Sequence, residues 1–528
     1  MVRVFFGFPR SGECRATTTA VAPTSNVCPA SGDNKPPSCP LWGSVRLTYS
    51  ICAFISMTLH VSMRNMLGLV VLRMVKSQPE DVLQLSRTDM SNITSTETAS
   101  CASGHVFNDT NVAAEHGTME DLDWTRTQQL IFPGAFYYGY VVALPLAGWL
   151  SDRFGGKLLF INSLTLQSVA YLMLPLMAHL DFKAAVAVLV VAGFFGGCGN
   201  PPLYQLFVVW AHPTERTALL SFAYSGLIVG SMLIYPVADF LCTFSWELPF
   251  YVFGGISLIF GIGCFWVVYN ELDDHPRLSA AEKAYLQAEQ TAEPPKVRNI
   301  PWTSILTSLP VHAFILTHAF HNYGYIVLAL LMPRILRESM QFTLKEVGIL
   351  SSAPYFGCLI SKALCIFCCG IAEKHAGSHL NCFRRLLYSV SVIVTMGCII
   401  GIIYSTCKQR ILVISLYILL GCATDLGFSG GYWPTLLYFA PSFAGLLSGL
   451  ANSFAHLCGI LAPYIVAIMV QHGTKSEWNS VLWTLIVAYT LGAIIFDTFS
   501  SSKLQKWDLR SQESKHIKLE GGETPEIG

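Results

Sequence analysis

An arginine in the middle of a long, mostly apolar run calls for a chemical reason. Arg64 lies in "SICAFISMTLHVSMRNMLGLVVLRM" (50–74), with His60 four residues before it. Four residues make roughly one helical turn, so the two share a helix face. A guanidinium at membrane depth costs about 2.5–3.5 kcal/mol even on lenient insertion scales, and so marks a site. Arg64 follows Arg46 by 18 residues, a helical rise of roughly 27 Å. From that depth it reaches the near interface only with difficulty; the alternative is snorkelling to the far interface beside Arg73. The chemistry on offer is anion binding, with His60 either tuning the charge or packing against neighbouring helices.

A second set lies in "ILTHAFHNYGY" (315–325), where His318, His321 and Asn322 occupy one turn. Histidine supplies positive charge only when protonated, so an anion bound there would answer to pH; a hydrogen-bonded core histidine is the other reading. Lys362 and Asp425 stand alone in two further apolar runs. Unpaired, each would be expensive, so a mutual ion pair across a cavity is expected. His456 reads as packing.

These groups must be positioned by membrane helices. Of 528 residues, 52% are hydrophobic and only 12% charged, against about a quarter charged in soluble domains. Twelve runs long enough to cross a bilayer as helices begin near Leu47, Gln128, Leu158, Ala184, Arg216, Leu248, Pro310, Val347, Arg385, Ile411, Ser442 and Ser480. The first lacks a small-residue cleavage site and carries charges, so it reads as a retained helix. The expected fold is all-α: two pseudo-symmetric six-helix bundles, 47–270 and 310–499, with a polar leader 1–46, an outer loop 76–127, an inter-bundle loop 271–309 and a tail 500–528. In the inter-bundle loop, "SAAEKAYLQAEQ" reads as a short helix with Ser279 and Glu282 forming a capping box.

A cytosolic leader puts 20 of the 33 basic residues on the inner side, 11 outside, and two, Arg64 and Lys362, within the membrane. The positive-inside rule therefore favours cytosolic N and C termini. Segment 76–127, with nine acids against three bases, then faces outward and carries two glycosylation acceptors, Asn92 in "NIT" and Asn108 in "NDT". Balanced charge, 33 basic against 33 acidic residues, gives no sign of a nucleic-acid partner. The thiols of "CIFCC" (365–369) share a helix face without a second ligand cluster, so packing is favoured over zinc. "GFFGGCGNPP" (193–202) follows no strand, so its glycines read as helix packing rather than a phosphate loop, with Pro201 and Pro202 kinking the helix. No nucleophile triad, metal cluster or Walker motif is present in the sequence; an enzyme is not expected, nor a cofactor.

"GWLSDRFGGK" (148–157) places Asp152, Arg153 and Lys157 among glycines between two runs, and "GIAEKHAG" (370–377) echoes it faintly in the second half. This pattern resembles the loop between helices two and three of the major facilitator superfamily, G-x-x-x-D-R-x-G-x-K. "WAHPTER" (210–216), "HPRLSAAEKAYL" (275–286), "PWTSILTSLPVHAFILTHAFHNYGY" (301–325), "GAFYYGY" (134–140) and "FAPSFAGLLSGLANS" (439–453) resemble the anion:cation symporter family of sialin, the vesicular glutamate transporters and the type I sodium-phosphate cotransporters. The resemblance covers roughly residues 45–505.

It implies a secondary active transporter of organic or inorganic anions, working by alternating access in the lipid bilayer, with H+ or Na+ as coupling ion. It makes Arg64 the group that meets the anion, places His321 where glutamate transporters carry an arginine, and makes Asn322 a family asparagine. Asp152 and Arg153, with Lys157, Glu215 and Arg216, become gating residues of the cytosolic side. The chain also departs from the family: Leu189, Gly196 and Tyr204 stand where many relatives have arginine, glutamate and histidine, and Thr435 and Tyr438 replace asparagine and aspartate. A non-transporting membrane receptor or scaffold of the same fold is the alternative, and the plasma membrane is the expected compartment, with a lysosomal or vesicle membrane as its alternative. Glycosidase treatment of the expressed protein is expected to increase its gel mobility, and the double variant Asn92→Gln, Asn108→Gln to remove that shift.

Overall fold

The computed structural model describes residues 40–75, 122–287, 300–365, 379–406 and 408–508. Asn92, Asn108, Cys368, Cys369 and the 370–377 echo lie outside them.

With no water in the hydrocarbon core, a spanning backbone must satisfy its own N–H and C=O groups, and helices do so within one segment. Among the described residues eleven helices are long and apolar enough to cross a membrane, and a twelfth, Leu248–Cys264, has 17 residues, at the short end of the range of about 17–25 that spans a bilayer. In chain order they are α1 Val45–Met74, α2 Phe136–Phe154, α3 Gly156–Leu180, α4 Phe182–Gly197 continued by Asn200–Trp210, α5 Pro213–Cys242, α6 Leu248–Cys264, α7 Leu309–Arg334, α8 Leu344–Leu350 continued by Ala353–Leu364, α9 Leu380–Tyr404, α10 Arg410–Leu426, α11 Ala444–Met469 and α12 Lys475–Phe499. A short helix, Arg126–Ile131, and a 3-10 turn lead into α2; a π-helical turn, Gly427–Tyr432, follows α10. The break in α4 falls at Cys198–Gly199, ahead of Pro201 and Pro202. The first of these prolines has no N–H to give to the preceding turn, so the regular ladder cannot run through.

Helices α1–α6 form one bundle and α7–α12 the other. Their seam is sealed on one face only. On the face away from the chain ends, here the distal face, backbones approach closely: a Cβ at Gly68 of α1 would stand 2.1 Å from the Leu330 carbonyl oxygen of α7, and one at Gly134 would strike Pro463 of α11 at 2.6 Å. Tyr235 of α5 donates to the Ala329 carbonyl of α7 at 2.8 Å, and Tyr138 of α2 bonds Tyr464 of α11. An ionic cluster covers this seam. Arg126 pairs with Glu338, which also accepts from Trp478 Nε1 at 2.8 Å, while Arg334 donates to Gln129 at 2.6 Å.

The opposite, terminal face is organised differently. Its apolar residues in the first bundle, among them Tyr49, Phe160, Phe207, Trp210 and Leu286, form a separate cluster containing no residue of the second bundle. Gly148 of α2 and Gly445 and Gly449 of α11, near this face, look onto open space. Among the described residues the bundles are therefore joined distally and parted at the terminal face.

The loop helix Ala280–Gln287 forms as expected, but its capping box closes only in part. Ser279 Oγ accepts from the Glu282 N–H at 3.2 Å. The Glu282 carboxylate turns instead to α1, accepting from the N–H groups of Val45 and Arg46 at 3.1 and 3.2 Å and from Arg46 Nε at 3.2 Å. Two first-turn N–H donors and a buried cation at the start of α1 outbid the local cap.

If the ionic cluster holds the distal seam, Glu338→Gln weakens it. A membrane-impermeant thiol reagent added from the distal side should then label Leu330→Cys about tenfold faster than in the parent, the population change expected from losing roughly 1.5 kcal/mol of charge-assisted bonding.

Candidate functional site

Arg64 lies on the face of α1 that meets the seam. Its Nε donates to Asn65 Oδ1 at 3.3 Å, and its guanidinium sits over the Tyr137 ring of α2, 5.9 Å from the centroid. Tyr140, Tyr325 and Tyr355 also fall within its electrostatic reach. Among the described residues no carboxylate touches it. Beside it lies a small recess of about 30 Å³ lined by His60, Arg64, Tyr140, Gln167, Gly196 and Asn200, among others. His60 and Arg64 thus share one wall, as their spacing predicts.

The aromatic wall depends on α2 and α4 running in near contact. A Cβ at Gly193 would lie 1.8 Å from the Phe136 carbonyl oxygen and one at Gly197 would lie 2.7 Å from that of Tyr140. The glycine-rich stretch is therefore packing, and it lets Tyr137 and Tyr140 reach the seam.

In the second bundle His318 is the centre of a polar network. Its Nδ1 lies 2.8 Å from Tyr432 Oη, its Nε2 lies 3.2 Å from Asn452 Oδ1, and Asn322 Nδ2 donates to the His318 carbonyl at 3.1 Å. His321 is enclosed by the rings of Tyr388, Phe428, Tyr432 and Tyr489, and its Nδ1 is buried without a hydrogen-bond partner. Lys362 and Asp425 pair at 3.0 Å, both bonded to Ser429 of the π-helical turn, with the ammonium 5.5 Å from the Phe428 ring centre. The wider winding of that turn offers Ser429 one turn after Asp425, so both bracket the lysine; π-helical turns recur at functional sites.

The two sets meet through α11. His456, whose Nδ1 lies 2.6 Å from the Asn452 carbonyl, stands against Tyr140 and Tyr137 with ring centres 4.8 and 5.8 Å apart. It packs, as expected, but at the crossing between the Arg64 recess and the His318 network. Tyr137, Tyr140, Gln167, Asn200, Tyr432 and Asn452 escape the sequence reading; the polar residues among them are visible only as interruptions in apolar runs.

The gating candidates stay within the first bundle. Arg153 lies over the Trp149 and Phe154 rings, and Lys157 Nζ sits 4.3 Å from the Tyr269 ring centre. Glu215 pairs with Arg46, and Arg216 donates to the Phe207, Val208 and Ala211 carbonyls that end α4. The Asp152 side chain lies outside the described set. Gly155 has φ +82°, and a Cβ there would strike Asn270, whose Oδ1 accepts from the Lys157 N–H at 2.8 Å. In this conformation the loop fixes the α2–α3 turn onto the end of α6, and among the described residues Arg153, Lys157, Glu215 and Arg216 form no hydrogen bond or ion pair with the second bundle.

The profile of the Major Facilitator Superfamily matches residues 99–463, more than half of the chain. The chain belongs to this superfamily. It is a family of transporters rather than enzymes, so the protein is an integral multi-pass membrane protein of that class. The chain is 29% identical to human sialin over 399 residues, 74% of this chain and 79% of sialin. It is 27% identical to a putative inorganic phosphate cotransporter of Drosophila ananassae over 423 residues, 76% of this chain and 85% of that protein. Vesicular glutamate transporter 1 of Xenopus laevis is 26% identical over 407 residues, 73% and 67% of the two chains. Among solved structures, the xylose transporter of E. coli superposes with a TM-score of 0.61 at 14% identity, covering 89% of this chain and 99% of that one. A bacterial homologue of the lysosomal transporter Spinster gives 0.61 at 12%, covering 88% and 99%. The shared superfamily fold is two bundles around a seam, which is where Arg64 lies.

Breaking the Lys362–Asp425 pair leaves a partly buried charge without its partner. Lys362→Asp or Asp425→Lys alone is expected to lower the detergent-solubilised melting temperature by several degrees, and the double exchange to recover most of the loss.

Proposed function

We propose that this protein is a secondary active transporter of small organic or inorganic anions, working by alternating access between its two bundles. The observation that carries this reading is Arg64: a cation at the seam, over a tyrosine ring, beside a recess, with no carboxylate contact among the described residues. A charge so placed is tolerated when a mobile anion visits it. The resemblance to sialin, to a vesicular glutamate transporter and to a putative inorganic phosphate cotransporter favours the same cargo class.

In this reading Arg64 meets the anionic group, and His60 shapes the same wall. His321 and Asn322, with the Lys362–Asp425 pair, form the second-bundle side of the path. The bias of basic residues assigns the terminal face to the cytosol, so the conformation described is open inward and closed outward. Rocking the bundles the other way would part the distal ionic cluster and bring the terminal ends together. Asp152, Arg153, Lys157, Glu215 and Arg216 are then the charges available to hold that second closure.

Uptake of labelled sialic acid, glutamate and inorganic phosphate into vesicles containing the purified protein tests this. Saturable, counterflow-competent uptake of at least one is expected, and Arg64→Ala is expected to abolish it while surface expression persists. Normal uptake by that variant would remove Arg64 from the site.

A further inference from the structure

The recess beside Arg64 contains a second polar pair. Nδ1 of His60 lies 2.5 Å from Oε1 of Gln167 on α3, and Nε2 lies 3.4 Å from Ser163 Oγ. Ser163 gives its own proton to the Phe160 carbonyl at 2.8 Å, so its oxygen faces the ring as an acceptor. Both imidazole nitrogens thus look onto oxygens, an arrangement that suits an imidazolium with two N–H groups. Helix α4 leaves the space for it: a Cβ at Gly199 would come 2.9 Å from His60 Nε2, and one at Gly196 the same distance from Gln167 Oε1. Gln167 is fully buried, and its Nε2 has no hydrogen-bond partner among the described residues although the residue lines the recess. An orphaned donor in such a place is expensive unless a ligand visits it.

We propose that His60 carries a proton that travels with the anion, and that the Gln167 amide turns with that proton to act as an anion ligand. With His60 protonated, Nδ1–H donates to Oε1 and the amide presents its N–H groups to the recess beside Arg64. With His60 neutral and Nδ1 an acceptor, the amide reverses: Nε2 donates to Nδ1, and Oε1, a poor neighbour for an anion, faces the recess. One side chain thereby reports the charge of the ring to the cargo.

The surroundings supply the coupling. The imidazole meets Gln167 and Ser163 of α3 and Gly199 at the break of α4, and it shares the recess with Tyr140 of α2, Gly196 and Asn200 of α4, Leu227 of α5 and Arg64 on its own helix, with His456 of α11 beyond Tyr140. Among the described residues the only charge facing His60 is the Arg64 cation, and no carboxylate touches the ring. Two cations one turn apart repel, so the second proton is unwelcome until an anion lies between them. By linkage, the proton then raises anion affinity by the same factor by which the anion raises proton affinity. The proton is taken from water on one side and returned to water on the other, so the net step is one proton moved with each anion.

This inference rests on the anion-transport reading, and the test separates the two. The full-length protein is reconstituted in liposomes with radiolabelled sialic acid, L-glutamate or inorganic phosphate, and two quantities are read: exchange at equal pH, and accumulation under a gradient of one pH unit, acid outside. The wild type is expected to exchange at least one probe and to concentrate it up to about tenfold further under the gradient, the limit for one proton per unit. In His60→Gln that ratio falls to about one, whatever the exchange rate. Gln167→Met, which keeps the volume and removes the amide, raises the KM for exchange and flattens its pH profile; this decides the matter if His60→Gln does not fold. A gradient-driven ratio retained in His60→Gln, or an unchanged pH profile in Gln167→Met, overturns the proposal. Wild-type exchange with no response to the pH gradient sinks the proton role alone, whereas no exchange of any probe sinks the transport reading and this proposal with it.

Discussion

A guanidinium held at the meeting plane of two helical bundles sets the terms for much of what surrounds it. Charge in a low-dielectric interior is costly unless it is solvated or paired, and Arg64 has neither a carboxylate contact among the described residues nor a route to the near interface. What surrounds it is a set of softer partners: the Tyr137 face, the hydroxyls of Tyr140, Tyr325 and Tyr355, and the Asn65 amide. Such groups lower the cost of the charge without cancelling it, which leaves net attraction for a negatively charged visitor. The close α2–α4 packing follows from the same need, because glycines at 193 and 197 let the tyrosine-bearing helix approach the seam.

Two kinds of contact divide the labour at the seam. Within each bundle, helices are joined by apolar packing and by charges fully committed to local partners. Arg46, wholly buried between Glu215 and Glu282, ties the start of α1 to α5 and to the loop helix Ala280–Gln287, which joins that helix to the first bundle's terminal end. Between bundles, the distal closure adds the partly exposed ion pair of Arg126 with Glu338, beside the bond from buried Arg334 to Gln129. Groups of that kind can exchange protein partners for water at modest free-energy difference, as a seam that must open requires. The separate apolar cluster of the terminal half of the first bundle keeps that half intact when the bundles part.

Particular residues show how far a sequence reading reaches. His60 and Arg64 share a wall because helical periodicity alone brings residues four apart together. Lys362 and Asp425, sixty-three positions apart, form the ion pair that electrostatic economy in an apolar medium demands. Glu282 misleads: its spacing from Ser279 satisfies a local rule, yet its carboxylate is drawn to the first turn of α1, more than two hundred residues away. Gln167 gives no warning at all, since one polar residue in an apolar run has no periodic or charge signature; it matters because α3 and α4 carry it against the His60 ring.

The sequence by itself determined the number and course of the helices, the depth of Arg64 and the six-plus-six division, because hydrocarbon solvent imposes length and hydropathy on every span regardless of its neighbours. Only the tertiary structure decided which face is sealed, which groups bridge the seam and which polar atoms look into the recess. Those depend on contacts among residues distant in the chain, whose distances no local pattern encodes, and on which of two bundle arrangements is adopted. Both arrangements bury the same spans in the same lipid, so the hydropathy that specifies the helices is silent on the choice between them.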